Sequence, residues 1–312
     1  MSRLVDRLIS QVRRQTENED FTANSGITDE EFLQFLNDAQ QRLQSVITST
    51  HPTIFTNEKE LDVIVDQEAY EIPSDAFMEN KLVTVEYSPS GAFEDYYHLE
   101  PTRMKRRDTA VQGFPVTYIR RSGKILLQPR PQQAGLLRVN YVKRIWDLDK
   151  RRGVVQTAVL GTNTITSLQL DASASSPALQ VSELTDDGYI CIVDRDGNMK
   201  MQNIPVDSVD AATGVVTVSA GFTFESGESI SPGDYAVGGR DTSTHSELPK
   251  MCERFLIAYC AWKILKRDSS IDSAEQEREL SEMEDDIVNS FADITDDVTY
   301  VPQLNHWSDW SD

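Results

Sequence analysis

Two hydrophobic periods alternate along the chain and divide it into helical and β segments. Apolar residues recur every three to four positions near the N-terminus, which predicts an amphipathic helix over 3–14. A second helix is predicted to start at Thr28, because Thr28 and Glu31 have the spacing of a capping box. It should end near His51, since a residue before proline disfavours helical backbone angles. Asn37 neighbours the apolar stripe of this helix, and we expect it to be solvated, with a buried polar contact as the alternative.

From about residue 58 the period changes to two. Alternating stretches such as LDVIVD and KLVTVEYS predict strands. Ser122-Gly123 separates PVTYIRR from KILLQP, which predicts a hairpin with these two residues at its turn. Residues 58–150 are therefore expected to form an antiparallel β unit.

Residues 153–240 differ in character from the segment before them. They are rich in Ser, Thr, Gly, Asp and Val, and they contain no stretch of helical period. Short apolar runs are separated by turn signals, of which Asp196-Gly197-Asn198 and Thr213-Gly214 are the clearest. This pattern predicts a second, inserted β domain, either a barrel or a sandwich.

The helical period returns at about Ser246 and ends at Phe291. Neither the N-terminal nor the C-terminal pair of helices should bury its apolar stripe alone. We therefore expect 1–57 and 246–291 to form one four-helix core from which the two β units loop out. The predicted fold class is α+β.

Residues 292–312 are predicted to form an extended C-terminal arm. Large apolar and aromatic groups are spread along this acidic segment, whereas disordered segments that serve only solubility are poor in such groups. They are Val298, Tyr300, Val301, Leu304, Trp307 and Trp310. We expect this arm to order on contact with a partner; folding back on its own subunit is the alternative.

Charge is distributed unevenly over the 312 residues, which carry a formal net charge of −21. Residues 100–152 hold 14 basic and 4 acidic groups, a net +10, whereas 268–312 hold 1 basic and 14 acidic groups, a net −13. An acidic chain is repelled by nucleic acid unless local basic patches or a partner bring it close.

The basic stretch contains a possible contact patch. Its members cluster between predicted strands and at the hairpin tip: Arg103, Lys105, Arg106, Arg107, Arg120, Arg121 and Lys124. Cationic loops at the tips of a sheet can meet an acidic protein surface or a phosphate backbone. A solvated loop region that balances the chain's own carboxylates is the third interpretation.

No sequence signal indicates an enzyme, a cofactor or a metal site. The four histidines are scattered without ligand spacing, and the phosphate-binding and nucleophile motifs GxxxxGK[ST], GxGxxG and GxSxG are absent. The three cysteines are too few for a disulfide scaffold, so we expect free thiols in a protein made in a reducing cytoplasm. No apolar run is long enough to span a membrane.

Three stretches, in this order and spacing, resemble the head-to-tail adaptor proteins of tailed bacteriophages. They are GITDEEFLQFLNDAQQRLQSVI, DQEAYEIPSDAFMENKLVTVEYS and GFPVTYIRRSGKILLQPRP, all within the first 145 residues. Residues 153–240 are not covered by the resemblance, and they look like an inserted domain that smaller members lack.

The resemblance implies a structural protein of the virion neck, made in the host cytoplasm. Such adaptors assemble as a ring, usually of about twelve copies, beneath the portal protein, where heterologous contacts close into a circle. They extend the DNA channel, through which the genome passes without sequence-specific binding, and they connect the head to nozzle and fibre proteins of the tail. The portal then becomes the expected partner of the C-terminal arm, and a neighbouring copy in the ring is the other candidate.

Two other classes of function remain open at this point. One is a β-rich, tail-fibre-like or carbohydrate-binding virion protein whose function lies in 153–240. The other is a small enzyme with an unrecognised site. A ring favours the adaptor, a trimer favours the fibre protein, and turnover by a monomer favours the enzyme.

Overall fold

The computed structural model describes residues 4–16, 27–77, 82–92, 95–102, 111–161, 164–171, 181–185, 188–219, 222–223, 229–267 and 273–295. Four α-helices lie among them: α1 (Val5–Gln15), α2 (Asp29–Thr50), α3 (Glu253–Arg267) and α4 (Ser273–Thr295). The capping box at the start of α2 is confirmed, because the Thr28 hydroxyl accepts the Glu31 amide while the Glu31 carboxylate accepts the Thr28 amide.

The C-terminal helices differ from the predicted bounds at both ends. The segment after Ser246 is not yet α-helical: a short 3₁₀ turn at Lys250–Cys252 precedes α3, because Pro249 and the Ser246 hydroxyl shape an extended entry. At the other end α4 continues to Thr295, beyond the last apolar position of its stripe. The part of the predicted arm that follows the helix is therefore 296–312.

The helices bury their apolar stripes against one another. Helix α3 contacts α1, α2 and α4, and buried residues from all four helices belong to one apolar cluster. Phe32, Leu36, Phe255 and Leu256 are among its fully buried members. Ile145 joins this cluster from outside the helices, which ties the first β unit to it.

The first β unit contains two four-stranded sheets and a two-stranded ribbon. Its strands are β1 (Thr56–Val63), β2 (Ala69–Glu71), β3 (Leu82–Ser88), β4 (Tyr97–His98), β5 (Glu100–Pro101), β6 (Gln112–Gly113), β7 (Thr117–Arg121), β8 (Lys124–Gln128), β9 (Arg130–Pro131) and β10 (Gly135–Val142). The sheet orders are β1-β10-β3-β4 and β2-β8-β7-β5, and β6 pairs with β9. The predicted hairpin is the β7–β8 pair, with positive φ at Ser122 and Gly123.

The expectation of purely antiparallel pairing was wrong at two places. Strand β5 runs parallel to β7, and β6 runs parallel to β9. Each parallel pair spans two residues, and its strands are separated along the chain by enough residues for the crossover that parallel pairing requires. Period-two alternation reports which face is buried but not the direction of the neighbouring strand.

The second β domain is a closed six-stranded barrel, so the barrel alternative is confirmed. Its strands are β12 (Gly153–Leu160), β13 (Ile165–Leu170), β14 (Tyr189–Val193), β15 (Met199–Asp210), β16 (Val215–Val218) and β17 (Tyr235–Gly238). The order β12-β13-β16-β15-β14-β17 closes because β17 pairs back to β12. Strand β15 is long enough to pair with β14 through its first half and with β16 through its second half. Closure removes the free edges that an open sheet of this size would expose.

The chain enters and leaves the barrel at one place. Strand β11 (Asp147–Leu148) precedes the barrel and pairs in parallel with β18 (Thr242–Ser243), which follows it. Inside the barrel, Gly153 lies opposite Ala236. The barrel is therefore an excursion whose two ends are already held together by a short stem.

A row of side-chain amides on α2 binds the extended chain that leads into this stem. Asn37 donates to the Leu148 carbonyl at 3.1 Å and accepts the Leu148 amide at 2.6 Å. The carboxamide nitrogen of Gln40 donates to the Trp146 carbonyl at 2.6 Å, and Gln44 donates to the Lys143 carbonyl at 2.7 Å. The expectation that Asn37 is solvated was wrong, because helical spacing places it in line with Gln40 and Gln44. We call Asn37, Gln40 and Gln44 the amide row.

Replacement of Gln40 by leucine should destabilise the fold by about 2–4 kcal/mol, because a buried group that loses its partner costs about 1–3 kcal/mol. The change removes the partner of the Trp146 carbonyl and the acceptor of the Ser246 hydroxyl. Urea unfolding measures the loss. Gln34→Leu is the control, since Gln34 is exposed on the same helix and should change stability little. Equal effects of the two substitutions would contradict a structural role for the amide row.

Candidate assembly surfaces

Among the residues that the structure describes, no three His, Cys, Asp or Glu side chains are placed to hold a metal ion. Burial raises the pKa of both Cys252 and Cys260 to about 12, so neither thiol is a nucleophile at neutral pH. All three cysteines are buried and free, as expected.

Charged side chains hold the barrel in place at the top of the stem. Asp149 and Arg152 are buried and form a two-pronged pair, with Arg152 nitrogens at 3.0 and 2.8 Å from the carboxylate. The same carboxylate accepts the Gly238 amide of β17 at 2.9 Å. Arg152 also forms an ion pair with Glu183 in a 3₁₀ turn that packs against the barrel strands.

Lys150 extends this network to the helices. It is buried, and its ammonium lies 3.1 Å from Glu30 in the first turn of α2 and 3.9 Å from Glu183. Burial acts to raise the pKa of Glu30, but its backbone hydrogen bond and Lys150 outweigh burial and lower it. We call Asp149, Lys150, Arg152 and Glu183 the ionic junction. Because a buried charge that loses its partner is costly, this junction fixes the barrel relative to α2.

The exposed face of α4 is strongly acidic. Its solvent-exposed carboxylates are Glu275, Glu277, Glu279, Glu282, Asp285 and Asp286. Arg278 pairs with Glu282 at 3.4 Å, and Lys266 of α3 reaches Glu277 at 3.1 Å. The other exposed carboxylates of this face remain accessible to solvent or to a partner.

The predicted basic patch is only partly described. Arg120, Arg121 and Lys124 are exposed at the tip of the β7–β8 hairpin, and Lys124 lies 3.6 Å from Glu71. The other members, Arg103, Lys105, Arg106 and Arg107, lie outside the described residues. The structure therefore places three of the seven residues together at one hairpin tip.

An exposed apolar patch lies at the end of the first β unit where β1 ends and β10 begins. Ile64 is 58% exposed, and the half-exposed ring of Phe114 stacks edge-on against Tyr97 at 5.0 Å. Val65, Val111 and Val116 are also exposed. Exposed apolar groups gathered at one tip are typical of a protein contact.

In the part of the barrel that the structure describes, no aromatic side chain offers an open platform for a sugar. Of its four aromatic residues, Tyr189 is covered by Arg240 at 3.8 Å and Tyr235 by Arg151 at 5.2 Å. Phe222 packs against the barrel core, and Phe224 lies outside the described residues. Its exposed apolar residues are aliphatic instead: Val159, 59% exposed, and Leu160, both at the end of β12.

The C-terminal arm is not tested by the structure. Val298, Tyr300, Val301, Leu304, Trp307 and Trp310 all lie outside the described residues.

Comparison with known families decides the class of this chain. The family model of the SU10 adaptor protein matches residues 4–160, half of the chain. The chain belongs to the SU10 adaptor family. The resemblance to phage head-to-tail adaptors is therefore confirmed. No curated protein matches the chain.

Membership places the adaptor among structural components of the phage virion, which contact other head and tail proteins. Proteins of this kind are generally not enzymes. No helix among the residues that the structure describes is long and apolar enough to cross a bilayer. The match covers α1, α2, the first β unit, the ionic junction up to Arg152 and the first barrel strand.

Sequence patterns missed three features of the adaptor. The contacts of the amide row could not be predicted, because a glutamine on a helix surface normally indicates an exposed position. The ionic junction looked like part of a basic stretch, since Glu30 and Glu183, which pair with Lys150 and Arg152, are distant in sequence. The exposed apolar patch joins residues from three separate segments, 64–65, 97 and 111–116, and no periodicity connects them.

Lowering the pH from about 7 to 5 should destabilise the adaptor in part through His245. Burial lowers the pKa of this histidine, although Asp194, Asp196 and Asp6 act in the opposite direction. The unfolded chain then takes up the proton first, so the stability present above the unfolded pKa of 6.5 is lost as the pH falls through it. Urea unfolding at both pH values should show a smaller loss for His245→Gln than for His98→Gln, which alters an exposed histidine. Equal losses would contradict this role of burial.

Proposed function

We propose that this adaptor forms a ring of about twelve copies beneath the portal, extends the DNA channel and connects the head to the tail. The observation that supports this most is the family match over 4–160. A ring requires two different faces on each copy, so that one meets the other on its neighbour. The acidic face of α4 and the basic β7–β8 hairpin are two surfaces of opposite charge that suit such a contact.

The four helices act as one core in this proposal, and the two β units protrude from it. Support comes from the single apolar cluster that draws buried residues from all four helices. Fixed helices would give the ring its rigid wall. The acidity of the chain also has a role in this proposal. A negatively charged channel wall repels DNA and keeps it from adhering during passage.

The arm, residues 296–312, is proposed to bind the portal through its distal part. Its aromatic groups, Trp307 and Trp310 above all, would fill pockets, since truncation of a buried Trp in an interface costs on the order of 2–4 kcal/mol. Its carboxylates would meet basic portal surface and speed docking.

The barrel is proposed to face outward and to serve other tail components, such as nozzle or fibre proteins. The family match ends at residue 160, the last residue of the first barrel strand. Segments that vary between relatives are common where partners vary. Val159 and Leu160 offer an exposed aliphatic contact at that end of the barrel.

Mixing the purified adaptor with purified portal tests the proposal directly. Sedimentation and native mass measurement should show a complex with a closed ring of adaptor copies matched to the portal. A trimer that does not bind the portal, or a monomer that fails to bind it at any concentration, would contradict the proposed function.

A further inference from the structure

A groove runs between α3 and α4 on the outside of the helices. It consists of two adjoining cavities of about 480 and 190 Å³, which share Arg254 and Met283 as lining residues. Met251, Ile257 and Ile287 supply further apolar lining. Met251 is 42% exposed although it is a large apolar side chain. Methionine adapts its shape to irregular partners, so a groove with two of them suits an apolar peptide.

The groove begins beside the end of α4. Its α4 wall extends from Ser290 back to Glu279, which corresponds to about 16 Å along a helix. Helix α4 ends at Thr295, about 7 Å beyond Ser290 on the same scale. The chain that leaves α4 therefore starts next to the open end of the groove.

Charged side chains line both walls of the groove. Arg254, in the first turn of α3, lines both cavities, whereas Lys250 and Glu253 line only the larger one, which is farther from the end of α4. The α4 wall contributes Glu279 and Asp286. The first two residues after α4 are Asp296 and Asp297, and Arg254 is the basic residue of the cavity that Ser290 lines.

The next residues place an apolar or aromatic group at every second position. Val298, Tyr300, Pro302 and Leu304 occupy these positions, and Thr299, Val301 and Gln303 lie between them. In an extended chain these four side chains point to one side. Seven extended residues span about 23 Å, enough to cover the whole groove.

We propose that the α3–α4 groove binds residues 298–304 of the same chain, with the segment running back along α4. Tyr300 then lies about level with Met283, since five extended residues and twelve helical residues cover similar distances. The same chain is the occupant because a short tether gives an effective concentration in the millimolar range. Docking of the proximal half leaves Trp307 and Trp310 beyond the groove. The role of those tryptophans, but not the docking itself, rests on the proposed function.

Disulfide trapping in the full chain tests the docking without any portal. The double variant Met283→Cys/Tyr300→Cys should form an intramolecular disulfide at least about tenfold faster than Ser281→Cys/Tyr300→Cys, because only the first pair is held together. Ser281 is exposed on α4 and does not line the groove. The native cysteines are all buried and should not compete. Equal closure rates, or disulfides that form only between chains and depend on concentration, would overturn the proposal.

Methionine oxidation supplies a second readout that needs no cysteine. Dilute peroxide followed by mass spectrometry should oxidise Met251 and Met283 several-fold more slowly in the full chain than in a chain ending at Thr295. Met199, partly exposed on the barrel, is the internal control. Unchanged oxidation of the groove methionines would also overturn the docking. Trp307→Ala/Trp310→Ala should leave both readouts intact, so a failure of groove docking can be told from a failure of portal binding.

Discussion

Replacing Trp307 and Trp310 together by alanine should weaken attachment of the adaptor to portal-bearing heads by at least about a hundredfold, since each buried Trp contributes on the order of 2–4 kcal/mol. The substitutions lie beyond the last described helix, so the fold should be unaffected. Attachment is measured by co-sedimentation of labelled adaptor with filled heads.

The arm also provides the matched control for this experiment. Ser308→Ala/Ser311→Ala changes the neighbours of the two tryptophans and should attach normally. A chain ending at Thr295 should lose at least as much affinity as the tryptophan variant. Normal attachment by a correctly folded Trp307→Ala/Trp310→Ala protein would refute the proposed portal-binding role of the arm.

Deleting residues 155–238 and closing the gap with a short linker should leave a folded protein that has lost only the barrel. The reason is the stem, in which Asp147 and Leu148 pair with Thr242 and Ser243 outside the deleted segment. The amide row and the helical cluster also lie outside it. Far-ultraviolet circular dichroism should keep the helical signal, with one cooperative unfolding transition.

The same deletion separates portal attachment from the proposed role of the barrel. The deletion variant should still attach to portal-bearing heads but fail to recruit nozzle or fibre proteins. Global unfolding would contradict the independence of the helical core. A folded variant that no longer joined the portal would refute the outward role of the barrel.

Local patterns predicted the elements well because each has a physical cause within a few residues. The capping box at Thr28 and Glu31 sets the start of α2, and Ser122-Gly123 sets the β7–β8 turn. Turn signals likewise divided 153–240 into strands, and β15 with its twelve residues is the longest of them. The barrel was one of two architectures that these strands allow, and only the pairing of β17 with β12 decides between them.

Contacts between distant segments could not be predicted in this way. Asn37 binds Leu148, which lies 111 positions further along the chain, and no local pattern near either residue indicates the other. Asp149 and Arg152 belong to a net basic stretch, yet their partners Gly238 and Glu183 come from the barrel. The parallel strands β5 and β6 are two residues long, too short for any period. Such features depend on the packed chain rather than on local sequence.

Electron microscopy of the adaptor bound to purified portal tests the proposed ring. A closed ring should lie beneath the portal, with helices lining a continuous channel and one barrel per copy projecting outward. Density for the distal arm, which carries Trp307 and Trp310, should extend from each copy onto the portal. A portal without a ring, or adaptor copies bound elsewhere on the portal with no channel through them, would contradict the proposed function.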